Sequence, residues 1–160
     1  MIYPGLCVAF PEIENNLAFI TNQESNKLDI IDLKKRKKIS EITLGKKPAG
    51  IFLDIKKKRV FISNPGSHNI SMINLKDKTN ELLKSGNTPV GIALYENKNF
   101  LYVSNWYDNQ ITVIDIKGKK IHNSISVGTS PAGIYIDQQG KKLFVANRED
   151  NNVSVVDLKL

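Results

Sequence analysis

The feature that most constrains this chain is that it repeats itself. Asn22, Asn64, Asn105 and Asn147 close the segments FITN, FISN, YVSN and FVAN at spacings of 42, 41 and 42 residues. Three residues before each stands an aromatic: Phe19, Phe61, Tyr102 and Phe144. Ten residues after each comes Asp32, Asn74, Asp115 or Asp157, ending the runs LDIID, ISMIN, ITVID and VSVVD. A further column is Pro48-Ala49-Gly50, Pro89-Val90-Gly91 and Pro131-Ala132-Gly133, preceded by Gly45, Gly86 and Gly128. Several independent columns holding one register mark stacked supersecondary units.

Within one period the pattern predicts four short strands, in the third unit at 91–95, 100–105, 110–116 and 120–127. They are rich in Ile, Val, Tyr and Phe and are bounded by Asn, Asp, Gly or Pro. No stretch sustains a helical apolar stripe over three turns. Short linkers suit antiparallel hairpins, and a four-stranded meander of roughly 40 residues is a β-propeller blade. The expected fold is therefore all-β: one domain, 1–160, of about four blade repeats near 6–44, 48–86, 89–128 and 131–160. Inner strands such as Ile51-Phe52-Leu53 are apolar without alternation, as a sheet covered on both faces requires.

The unit PAGI…KRVFISN…NISMINL, repeated as PVGI…NFLYVSN…QITVIDI and PAGI…KKLFVAN…NVSVVDL, resembles the YVTN-type β-propeller repeat of bacterial and archaeal surface and periplasmic proteins. The resemblance spans residues 17–160 and, weakly, 8–16. It implies a periplasmic or cell-surface setting. The signatures of WD40 and kelch repeats are absent. Similar repeats occur in lactonase-type propellers and in the d1-haem domain of nitrite reductases. A shared repeat does not carry a chemistry with it.

The column residues read as structure. Asn and Asp at strand ends bond nearby backbone and hold turns; the aromatics are expected between blades, and the glycines are expected to take backbone angles closed to other residues. The only histidines are His68, in a loop, and His122, on a predicted outer strand. The axial His and anion-binding set of a d1-type haem is not apparent, and P-loop, G-x-S-x-G and H-E-x-x-H motifs are lacking. Cys7 stands alone, so neither an internal disulfide framework nor a cysteine-cluster zinc site is available. No cofactor or metal is expected. Inner-strand ends offer mainly Asp54, Glu96 and Asp137 for acid–base work.

If strands run A to D outward from the axis, the B–C and D–A connections share one face and the A–B and C–D turns the other. The net charge is +7, and 18 of 23 basic residues fall on the second face, including Lys34, Lys35, Arg36, Lys37 and Lys38 and, one unit on, Lys56, Lys57, Lys58 and Arg59. Such a patch predicts weak, nonspecific polyanion binding. A bland source competes: Lys, Ile and Asn, with A/T-rich codons, fill 57 of 160 positions. The first face is mixed. Its variable B–C loops carry His68, Trp106, Tyr107, Asp108, Arg148, Glu149 and Asp150, the candidate ligand-binding residues.

These readings favour a binding or protein-interaction module without catalysis of its own, whose ligand is a protein, a small molecule or a glycan. The alternatives are a lactonase-like hydrolase or lyase and a structural surface-layer element. No apolar run reaches the roughly 20 residues of a membrane span, and no signal peptide is visible. The last repeat reaches only its third strand, and Met1-Ile2-Tyr3 is too short to complete a blade alone. The arc is therefore expected to be completed from outside itself, by a second chain or by further blades, rather than closed as a four-bladed ring.

Overall fold

Each repeat places β-branched and aromatic residues in short runs and polar residues at the turns, the composition of a hairpin meander. The computed structural model describes residues 9–12, 16–139 and 141–158; Met1 to Gly5, Cys7 and Lys159 lie outside them. Fifteen strands are present among the described residues. Blade 1 comprises β1 (Ala9–Glu12), β2 (Leu17–Asn22), β3 (Lys27–Asp32) and β4 (Lys37–Thr43). Blade 2 comprises β5 (Ile51–Asp54), β6 (Arg59–Asn64), β7 (Asn69–Asn74) and β8 (Asn80–Lys84). Blade 3 comprises β9 (Pro89–Tyr95), β10 (Phe100–Asn105), β11 (Gln110–Asp115) and β12 (Lys120–Ser126). Blade 4 holds three strands, β13 (Pro131–Asp137), β14 (Lys142–Asn147) and β15 (Asn152–Asp157). Each blade is a separate antiparallel sheet in chain order, and the first strands pack in series, β1 beside β5, β5 beside β9, β9 beside β13. No helix among the described residues is long and apolar enough to cross a membrane.

The core lies between blades. Phe19, Leu28 and Ile30 of blade 1 pack on Leu53 and Val60 of blade 2; Phe61 and Ile70 pack on Ile92 and Leu101; Tyr102, Ile111 and Val113 pack on Ile136, Leu143 and Val145. The aromatic column fills these junctions, with Phe19, Phe61 and Tyr102 buried. The Tyr102 hydroxyl is enclosed without a hydrogen-bond partner. Burial, more than the neighbouring Tyr95, pushes its pKa up to about 12.

Polar atoms tie each blade to the next. Ser63 Oγ accepts the N–H of Gly50 (2.8 Å) and donates to the Val90 carbonyl of blade 3 (2.7 Å). Ser104 Oγ repeats this with the N–H of Gly91 (2.8 Å) and the carbonyl of Ala132 (2.7 Å). Thr21 donates to the Ala49 carbonyl of blade 2 at 3.2 Å. Blade 4 carries Ala146 at this position.

The strand-end Asn residues do hold loops. Asn64 Nδ2 donates to Asn69 Oδ1 and Ser71 Oγ, Asn105 Nδ2 to Thr112 Oγ1, and Asn147 Nδ2 to Asn152 Oδ1 and Ser154 Oγ. The expectation for the glycines is corrected. No described glycine has a positive φ; the left-handed positions at the turn ends are held by Asn, His, Lys, Arg, Thr and Ser. The glycine columns answer to crowding instead. A Cβ on Gly50 or Gly91 would lie 2.1 or 2.2 Å from the carbonyl oxygen of Val90 or Ala132, and one on Gly86 would lie 2.6 Å from Asn105 Nδ2.

The outer face of blade 4 is open. Tyr135, Val153 and Val155 are more than half exposed, whereas their counterparts in blade 3, Ala93, Ile111 and Val113, are buried against blade 4. A Cβ on Gly133 would meet nothing within 4 Å.

Candidate functional site

The loop sets sort onto two faces as the strand order requires, because B–C loops bond D–A loops while A–B turns bond C–D turns. On the first face, Trp106 N–H donates to the Thr88 carbonyl (3.0 Å) and Arg148 N–H to the Ser130 carbonyl (3.2 Å). The carboxylate of Asp108 accepts the N–H of Asn87 (2.6 Å), and that of Asp150 accepts the N–H of Thr129 (2.7 Å). The Thr129 backbone bond holds the Asp150 carboxyl below the usual carboxylate range. These two acids therefore anchor the loops.

His68 is also built into the frame. It closes the short 3-10 turn Pro65–Ser67 in the left-handed region, φ 54°. Its Nδ1 accepts the N–H of Thr88, in the connection to blade 3, at 3.1 Å. Asn26 Oδ1 accepts the N–H of Lys47 (2.7 Å) and Asn109 Oδ1 that of Ser130 (3.1 Å) in the same manner. Asn151, φ 51°, is the same column in blade 4. The sequence carried the signal: 26, 68, 109 and 151 keep the spacing of the strand-end Asn column.

What projects from this face is a smaller set. The Arg148 guanidinium lies over the Trp106 ring, 5.3 Å from its centroid, joining the loops of blades 3 and 4. Trp106 is half-buried, whereas Arg148 and Glu149 are exposed and Tyr107 is 70% exposed. The geometry thus separates the candidates into Asp108, Asp150 and His68, engaged by backbone, and Trp106, Tyr107, Arg148 and Glu149, grouped at the surface.

On the opposite face the cations are partly matched. Lys35 pairs with Asp32, Lys38 with Asp29 and Glu41, Lys56 with Glu96, and Arg59 with Asp54. Lys57 Nζ donates to Asn99 Oδ1 at 2.8 Å. Lys27 and Lys38 both bond Glu41, and the Lys27 contact chiefly lowers its pKa to about 2. Of the two basic runs, Lys34, Arg36, Lys37, Lys57 and Lys58 have no ion pair among the described residues. Two of the inner-strand acids are engaged in the same way, Asp54 by Arg59 and Glu96 by Lys56. His122 stacks on Phe100 with centroids 4.7 Å apart. Among the described residues, no group of three or more His, Cys, Asp or Glu is placed to hold a metal ion.

Residues 81–159 match the family described as lactonase, 7-bladed β-propeller. No curated protein sequence matches the chain. Among solved structures, hydrazine synthase of Kuenenia stuttgartiensis is similar over 99% of this chain, with a TM-score of 0.87 and 21% identity. The chain spans 47% of that protein's length. At this identity the likeness is one of fold, a β-propeller architecture.

Proposed function

We propose that the chain is a β-propeller binding module of the YVTN-like repeat type, acting at a cell surface or in the periplasm, and that it recognises a protein partner through the B–C loop face of blades 3 and 4. One observation carries this reading: Tyr107 stands out from the surface beside a Trp106–Arg148 stack that spans two blades. Tyr, Trp and Arg are the residues enriched where truncation costs most at interfaces, about 2 kcal/mol or more each. Here they sit on loops braced by backbone bonds, so little order has to be gained on binding.

The test is a peptide-display library and a glycan panel presented to wild type, Tyr107→Ala, and Lys117→Ala on the opposite face. Ligands should be lost with Tyr107→Ala and retained with Lys117→Ala. Ligands insensitive to Tyr107 would overturn the assignment.

The match of residues 81–159 to the lactonase family favours a second reading, a hydrolase of propeller type. Against it, the inner acids Asp54 and Glu96 are held in ion pairs. A panel of five- and six-membered lactones followed in a pH-stat should show no release of acid above buffer; saturable release would favour the hydrolase.

A further inference from the structure

The repeat provides its own internal control for a third region. Where blade 2 meets blade 3 on the A–B and C–D turn face, the junction is polar, lined by Arg59, Asn74, Asp77 and Glu81. The corresponding place between blades 1 and 2 is a groove of about 280 Å³ lined by Leu17, Phe19 and Ile39 on one side and Leu53, Ile55 and Leu75 on the other. In register, Leu17 stands where blade 2 has Arg59 and Ile55 where blade 3 has Glu96, while Ile39 sits at the irregularity of β4, a residue that β8 lacks. Both isoleucines are about half exposed. The fold does not require apolar residues here, because the next junction forms with charged ones.

The rim supplies the complement. Lys58 and Lys78 also line the groove. Both close their turns in the left-handed region, φ 51° and 61°, and neither ammonium has a carboxylate partner among the described residues. An apolar trough with a few fixed polar groups at one edge is the form of a small-molecule site.

We propose that this groove binds a free aliphatic carboxylate, its chain along Leu17, Ile39, Leu53 and Ile55 and its head group at Lys58 and Lys78. The volume equals roughly nine liquid waters, and a methylene is of similar size, so a chain of about ten carbons fills it. A neutral or cationic head would forgo the two ammonium contacts. This site is independent of the loop face proposed above.

The experiment is calorimetry with hexanoate, octanoate and decanoate, with decanol and decyltrimethylammonium as head-group controls. Affinity should rise about fourfold per methylene up to decanoate, and decanol should bind about tenfold more weakly. The variant Leu17→Arg/Ile39→Glu installs at position 17 the residue that blade 2 carries, sets a carboxylate on the same side of the trough, and should abolish binding in a protein that remains folded. Lys58→Asn/Lys78→Asn, suited to the left-handed backbone, should bring decanoate down to the level of decanol. Equal binding of decyltrimethylammonium, decanoate binding unchanged in a folded Leu17→Arg/Ile39→Glu variant, or no binding of any amphiphile would each overturn the proposal. Flotation with phosphatidylglycerol vesicles separates the sources: wild type should not float, and flotation lost in Leu17→Arg/Ile39→Glu would assign the groove to a membrane surface instead.

Discussion

Ser104 and Ala132 belong to different blades, yet the Ser104 hydroxyl donates to the Ala132 carbonyl at 2.7 Å while accepting the N–H of Gly91 from its own sheet. One side chain thus satisfies a strand irregularity and fastens the neighbouring blade. Ser104→Ala should lower stability by about 1–3 kcal/mol, since the buried carbonyl and N–H lose their shared partner. Ala146→Ser, at the equivalent place in blade 4, should be neutral. Urea denaturation of both variants checks the pair.

Gly91 and Gly133 occupy the same column with opposite surroundings. Gly91→Ala would drive a Cβ to 2.2 Å from the Ala132 oxygen, whereas Gly133→Ala meets open space. The first should cost about 3 kcal/mol and the second should be tolerated. A large loss for Gly133→Ala would mean that another surface already covers blade 4.

His68 is predicted to behave as a frame residue. His68→Asn installs the side chain that accepts the same kind of bond at Asn26 and Asn109, so the melting curve should shift by less than about 0.5 kcal/mol. His68→Val removes the acceptor and strains a β-branched residue at φ 54°, and should cost about 2 kcal/mol. Ligand binding lost in a stable His68→Asn protein would return His68 to the recognition face.

Much of the architecture was legible because spacing records topology. The Asn, aromatic and Pro-x-Gly columns place the hairpins, and the three strand runs read in the last repeat appear as the three described strands of blade 4. Roles that depend on what lies across a junction were not legible. Glycine's usual meaning is a permitted angle, and only the distance from Gly91 to Ala132 shows that here it makes room. The role of His68 lies in its register with Asn26 and Asn109 rather than in its residue type. The groove at Leu17 is not legible in the sequence, because an apolar residue in a strand-rich chain looks like core until it is set beside Arg59, its counterpart one repeat on. The mixed and basic faces followed from strand order; how far ion pairs such as Lys56–Glu96 offset the basic one did not.

Tyr102 carries a hydroxyl into a junction where the other repeats have Phe. Tyr102→Phe should raise stability by about 1 kcal/mol, because a buried hydroxyl without a partner is removed. The sign with pH follows from the raised pKa. The folded state favours the neutral phenol, so its advantage is full below about pH 10 and is lost as pH rises toward about 12. Thermal melts should show wild type falling faster than Tyr102→Phe across that window.

The basic face should bind DNA at low ionic strength and release it near physiological salt, because its term is counterion release and several of its lysines are already paired. Lys34→Glu/Lys37→Glu should remove the low-salt signal in a filter-binding titration. Tight binding that survives at about 150 mM salt would mark a true nucleic-acid site.

A propeller blade is complete only when both of its faces are covered, and the outer face of blade 4 tests this most directly. There Val155 is 54% exposed while Val113, its counterpart, is 1% exposed. Sedimentation equilibrium should give wild type an average mass that rises with concentration above the 17.9 kDa of one chain, and Val155→Lys should restore the monomer without unfolding it. A wild-type protein that stays at 17.9 kDa across the whole concentration range, folded and without affinity for an apolar dye, would contradict it.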